Sequence, residues 1–169
     1  NADVMDKVPS WVTWVLYALA DQKNVNFDLD DLREVMRGRA SKDEIRRALD
    51  KLVDSGELVR SEDGEVRKGR KLMQGSSEVP AALVRKLQAE LIYLGMESLF
   101  QDEPQYREFG AFTIALTEEE FEQVKFELRQ LRKRLFADYS MKRESTKGDR
   151  VYQLNFQLFP VTQESSTEV

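Results

Sequence analysis

Residues Ser41 to Lys68 read Ser-Lys-Asp-Glu-Ile-Arg-Arg-Ala-Leu-Asp-Lys-Leu-Val-Asp-Ser-Gly-Glu-Leu-Val-Arg-Ser-Glu-Asp-Gly-Glu-Val-Arg-Lys, and this stretch decides the fold. Ser41 and Glu44 stand at capping-box spacing, each side chain placed to satisfy the other's backbone N–H at a helix start. Ile45, Leu49, Leu52 and Val53 then recur on one helical face. Gly56 follows the last turn, where a left-handed residue stops a helix. Leu58, Val59 and Val66 flank Glu-Asp-Gly, and Asp-Gly between apolar runs marks a hairpin. The stretch predicts a helix feeding a two-stranded wing.

Two helices are expected before it. Ser10 follows Pro9 and can cap the first, in which Trp11, Val12, Val15, Leu16 and Leu19 leave almost no polar side, the pattern of a buried helix. Leu29, Leu32, Val35 and Met36 trace a second over residues 27–38, with Gly38 ending it. Three helices and a wing follow the winged-helix order, expected over residues 5–70. Asn1-Ala2 reads as the scar of a cleaved tag.

Residues 71–79 are rich in glycine and serine and read as a connector. Pro80 opens a long helix whose Leu83, Leu87, Leu91 and Leu94 form a stripe that Ile92, Met96 and Leu99 widen to a second side. A helix apolar on two sides sits between layers or in a dimer, which makes Leu91 a candidate self-association residue. Residues 107–116 place Phe112, Ile114 and Leu116 on one face and Phe109, Ala111 and Thr113 on the other, as a strand does. Thr117 and Glu120 form a second capping box, and Phe121, Val124, Leu128, Leu131 and Leu135 make a core stripe on the helix that follows. Phe126 lies off that stripe and is a candidate partner contact.

Residues 149–160 carry the strongest period of two, Tyr152, Leu154, Phe156 and Leu158 alternating with Gln153, Asn155 and Gln157. Strand, helix and strand predict a right-handed crossover between parallel strands. Two strands alone make a poor sheet, so the wing or a second copy of the chain is expected to extend it. The expected class is α+β: a winged-helix half, then a helix plus β-α-β half over residues 80–162, then a disordered tail over 163–169.

Composition narrows the chemistry. The 169 residues contain no cysteine and no histidine, so thiolate nucleophiles, disulfides and the commonest general base and transition-metal ligand are all missing. No apolar run approaches the ~20 residues of a membrane span, and a cytoplasmic protein is expected. No glycine-rich phosphate loop, metal-ligand spacing or nucleophile elbow stands in the sequence. Glu118 to Glu120 are explained by capping rather than as catalytic carboxylates. Neither an enzyme nor a cofactor is expected.

A winged helix raises the question of DNA. The outer face of the Ser41 helix carries Asp43, Arg47, Asp50, Lys51 and Asp54, three acids against two bases. Lys42 and Arg46 lie on its flank, but the wing tip bears Glu62, Asp63 and Glu65, which repel a polyanion. Residues 1–70 hold 13 lysines and arginines against 15 carboxylates, and the whole chain carries a net −5. Direct binding would use Lys42, Arg46, Arg47, Lys51, Arg67 and Lys68, with Arg70 and Lys71 beyond; packing or protein contact is the favoured use of the wing. A second basic group, Arg129, Arg132, Lys133 and Arg134 with Lys142 and Arg143, fits the negative end of a helix dipole as well as it fits phosphate.

The motifs Arg-Glu-Phe-Gly-Ala-Phe-Thr-Ile-Ala-Leu-Thr-Glu-Glu-Glu-Phe at 107–121 and Asp-Arg-Val-Tyr-Gln-Leu-Asn-Phe-Gln-Leu-Phe-Pro-Val-Thr at 149–162 resemble a bacterial family described as transcriptional regulators with a C-terminal domain of unknown function. Weaker resemblance covers nearly the whole chain. In that family the region usually follows an N-terminal helix-turn-helix of the repressor type. The resemblance therefore implies a fragment, with DNA reading in a preceding segment and regulation or dimerisation here. Thr13 and Gln88 stand near positions where relatives often carry histidine, and no catalytic residue is implied. The expected function is the regulatory and self-association region of such a regulator, acting as a homodimer. The alternatives are a winged-helix module that contacts duplex DNA itself and a small-molecule sensor with a pocket lined by Trp11, Trp14, Tyr93 or Tyr152.

Overall fold

The computed structural model describes residues 10–69, 81–141, 143 and 146–165, so the expected connector at 71–79, Arg70, Lys71 and the end of the tail at 166–169 lie outside the described residues. The chain divides into two units. The first holds the described residues up to Asp102 together with Thr146–Gln153; the second holds Glu103–Ser145 and the chain from Leu154 onward.

The first unit starts with three helices whose caps follow from the sequence. In α1, Trp11–Leu19, the Ser10 side chain accepts from the Thr13 N–H at 3.3 Å. In α2, Leu29–Val35, Asp28 accepts from the Asp31 N–H at 3.0 Å. This cap makes α2 shorter than the helix expected over 27–38. Its far end turns through two successive left-handed residues, Arg37 at φ 65° and Gly38 at φ 69°. In α3, Lys42–Asp54, both arms of the capping box are present: Glu44 N–H donates to Ser41 Oγ at 3.2 Å and Ser41 N–H donates to Glu44 Oε2 at 3.0 Å.

Strands β1, Leu58–Arg60, and β2, Val66–Lys68, then pair antiparallel with Leu58 opposite Lys68 and Arg60 opposite Val66. Gly64 supplies the positive φ that the turn requires. Leu16, Leu32, Ile45, Leu52 and Leu58 are wholly or almost wholly buried, and α3 packs on both α1 and α2. Each such side chain contributes ~1.5–3 kcal/mol of transfer free energy. These few residues hold the helices and hairpin together.

The long helix α4, Ala81–Gln101, belongs to this unit. Leu91 is buried, Arg39 Nε reaches Glu97 at 3.2 Å, and Arg37 Nη2 reaches Asp102 at 2.6 Å. The division of the chain therefore falls after Asp102 and not at the glycine-rich connector. Residues 146–153 also attach here. Gly148 N–H donates to Asp21 O at 2.7 Å, Lys23 N–H donates to Gly148 O at 2.9 Å, and Val151 packs against the core.

The second unit contains a short 3-10 turn, Pro104–Tyr106, the helix α5, Glu118–Phe136, and a π-helical turn, Ala137–Met141. Thr117 and Glu120 cap α5 as expected, with bonds of 3.1 and 2.8 Å. The expected β-α-β half is not present. Among the described residues the only strands are β1 and β2, and residues 107–116 and 154–160 form neither helix nor strand. Alternation reports which side chains seek burial, but a strand also needs a neighbour to receive its N–H and C=O groups. Among the described residues no strand stands beside residues 107–116. The first part of the second motif is instead drawn to the loop after α1, where Val151 N–H donates to Gln22 Oε1 at 3.1 Å. The coarse class, mostly helical with a small antiparallel sheet, is α+β.

Candidate functional site

The outer face of α3 is built by the same periodicity that buries Ile45, Ala48, Leu49 and Leu52. Asp43, Arg47, Asp50, Lys51 and Asp54 all point to solvent, three acids against two bases. Of the six candidate DNA contacts, three are tied to carboxylates. Lys42 pairs with Asp30, Arg46 Nη1 reaches Asp43 at 2.7 Å, and Lys68 Nζ reaches Asp21 at 2.6 Å while lying 4.5 Å over the Tyr17 ring. Lys68 is mostly covered, and its neighbour Arg67 is exposed. Arg47 is exposed too, and its Nε donates to the Asp43 carbonyl at 3.3 Å.

Acidic groups crowd the neighbouring surface. A groove of about 580 Å³ runs between the loop after α1 and the hairpin turn, lined by Asn24, Asn26, Asp28, Arg60, Asp63 and Glu65 among others. The Ser61 hydroxyl and then the Glu65 N–H hold the Asp63 carboxyl below its ordinary value, and the bond from the Asp31 N–H does the same for Asp28. Asp28, Asp63 and Glu65 outnumber Arg60 and Lys147 along the groove, so it opposes phosphate. The aromatic residues expected to line a sensor pocket are not gathered in it. Tyr93 and Tyr152 are exposed, and Trp11 and Trp14 are half-buried in α1. The Trp14 indole N–H is buried with no acceptor among the described residues.

The two candidate self-association residues separate. Phe126 is 55% exposed near the centre of α5. Leu91 is 7% exposed in α4, so little of its side chain is open to a partner. The second side of α4 is the exposed one, with Ile92, Met96, Leu99 and Phe100 at helical spacing and Phe100 84% exposed. The basic residues Arg129, Arg132, Lys133 and Arg134 are all exposed along the last turns of α5.

Residues 1–161 match the model of a family described as Domain of unknown function (DUF4423). The chain belongs to that family. No curated protein and no solved structure matches it. The family spans both units and all the surfaces described above, and its description assigns no role to any residue. Candidate sites in this family member therefore rest on geometry.

The exposed apolar side chains of the two motifs were only partly legible in the sequence. Phe112 is 81% exposed, and Phe109, Ile114, Tyr152, Leu154, Phe159 and Val161 are exposed as well. Their alternation predicted burial in a sheet, and these side chains stay exposed instead. Among the described residues no group of His, Cys, Asp or Glu is arranged to hold a metal ion, and no helix is long and apolar enough to cross a membrane.

Proposed function

We propose that this chain is the non-catalytic regulatory and self-association region of a bacterial transcription regulator, working in the cytoplasm as a homodimer. The observation that carries the reading is the second unit, in which no described residue is buried while large apolar side chains line two segments that form neither helix nor strand. A unit whose apolar side chains are at most half-buried is short of core, and a partner supplies the missing burial. The order of α1 to α3 and the hairpin supports reading the first unit as a winged helix. Its third helix is a poor groove reader, because Asp43, Asp50 and Asp54 accompany Arg47 and Lys51 on the outer face, and Lys42 and Arg46 are already paired. DNA reading is assigned to a segment other than this one.

Two measurements on the intact chain test the reading. Light scattering is expected to give a dimer, and a mass of 19.7 kDa at all concentrations would overturn it. Anisotropy of a labelled mixed-sequence duplex is expected to stay flat at low salt. Tight, salt-sensitive binding that Arg47→Glu abolishes would make α3 the DNA reader instead.

A further inference from the structure

We propose that the second unit is completed by the second unit of another copy: residues 109–116 of one copy pair as strands with those of its partner, the exposed Leu154 and Phe159 side chains pack against them, and the two α5 helices lie side by side and antiparallel. This rests on the self-association reading and names its surface.

Three observations converge on a second copy. Residues 109–116 take part in no backbone hydrogen bond among the described residues, and Phe112, Ile114, Leu154 and Phe159 are more than half exposed. Each costs ~1.5–3 kcal/mol relative to a buried position. Neither segment is guarded. No charged residue occurs between Glu108 and Glu118 or between Arg150 and Glu164. Strands that stay at a free edge carry lysines, inward charges or interior prolines to block pairing. Unguarded strands suit a partner that is always present, and the chain's own copy is present at matching concentration.

The third observation sets the orientation. Glu118, Glu119, Glu120 and Glu122 occupy the first turns of α5, Arg129, Arg132, Lys133 and Arg134 occupy the last, and Phe126 stands near the middle. An antiparallel neighbour of the same sequence sets Glu119 against Lys133 and Phe126 against Phe126, whereas a parallel one sets like charge on like. Glu119 and Lys133 have no ion-pair partner among the described residues, while Glu122 is held by Lys125 at 2.9 Å. The helix dipole alone favours such a gradient. It does not account for an exposed phenylalanine at the centre or for two uncharged apolar segments beside the helix in sequence. A two-fold axis makes every contact twice and closes the assembly at two copies.

The test uses the full chain and the Ile114→Asp/Leu154→Asp double variant. Wild type is expected at twice 19.7 kDa by light scattering, with the amide I strand band growing as concentration drives dimer formation. The double variant is expected to weaken dimerisation at least ~30-fold, the cost of losing interface hot spots. Both tryptophans, Trp11 and Trp14, lie in α1 of the first unit, so unchanged tryptophan emission shows that the first unit is folded, and unchanged helical circular dichroism shows that α5 of the second unit is kept. Glu119→Lys/Glu122→Lys and Arg129→Glu/Lys133→Glu are each expected to weaken the dimer, and the four changes together to restore it. Because the combined variant opposes its own helix dipole, restoration reports the contact between copies. A dimer indifferent to Ile114→Asp/Leu154→Asp, with no strand band gained, overturns this inference and leaves self-association standing through α4. A chain that is always monomeric overturns both. Open-ended polymers refute the two-fold arrangement.

Discussion

Gly69→Ala is a sharp test of how the hairpin closes onto the end of α3. The Gly69 N–H donates to Glu57 O at 2.9 Å, locking the strand after β2 against the residue that leads into β1. A Cβ at position 69 would stand 2.2 Å from Gly56 O and 2.7 Å from a Val59 methyl. The backbone oxygen cannot rotate aside, so the chain must separate by about 1 Å to reach ordinary contact, which breaks the bond to Glu57. Losing that bond costs ~1 kcal/mol and the residual overpacking ~1–3 kcal/mol. The sum, ~2–4 kcal/mol, lowers Tm by roughly 5–15 °C at ~2–4 °C per kcal/mol. Urea denaturation followed by tryptophan emission should show a lower midpoint with an unchanged slope. Gly64→Ala is the control. Position 64 has open space around its missing Cβ but φ +87°, so strain alone acts there, at ~1–2 kcal/mol. Gly69→Ala no less stable than Gly64→Ala would refute the close-approach reasoning.

Leu52, 1% exposed between α3 and its neighbours, should lose ~2–5 kcal/mol on truncation to alanine, measured by the same urea titration. Ser41→Ala removes the acceptor for the Glu44 N–H and should cost ~0.5–2 kcal/mol, with Ser41→Gly recovering most of it. The Arg37 guanidinium, and then the Ser98 hydroxyl, hold the Asp102 carboxyl below its ordinary value. A depressed folded pKa gives stability that is present above the unfolded value and lost as pH falls through the folded one. The stability gap between wild type and Asp102→Asn should therefore be open at neutral pH and shrink in acid below the ordinary carboxylate range. A gap that does not change with acid would refute the assignment.

The first unit was the legible part. The Ser41 capping box, the Gly56 stop at φ 78°, the Asp63-Gly64 turn and the Ile45, Leu49 and Leu52 face all follow from contacts within a few residues. The candidate surfaces were legible only as lists. The sequence placed Lys42, Arg46 and Lys68 among free cations, yet Lys42 pairs with Asp30 and Lys68 with Asp21, partners from other elements. The sequence set Leu91 and Ile92 on two apolar sides of one helix and named Leu91 for self-association; in the fold Leu91 is buried and Ile92 is exposed, with α4 docked on α1.

The sequence by itself determined the three helices, the hairpin and the apolar alternation of residues 107–116 and 149–160, because caps, turns and side-chain period are local properties. Only the tertiary structure decided that α4 belongs with the first unit and that residues 146–153 are taken up by the loop after α1. It also decided that residues 107–116 form no strand with the other described residues. Pairing and docking are non-local: they depend on which distant groups reach one another, and period-two alternation carries no information about that.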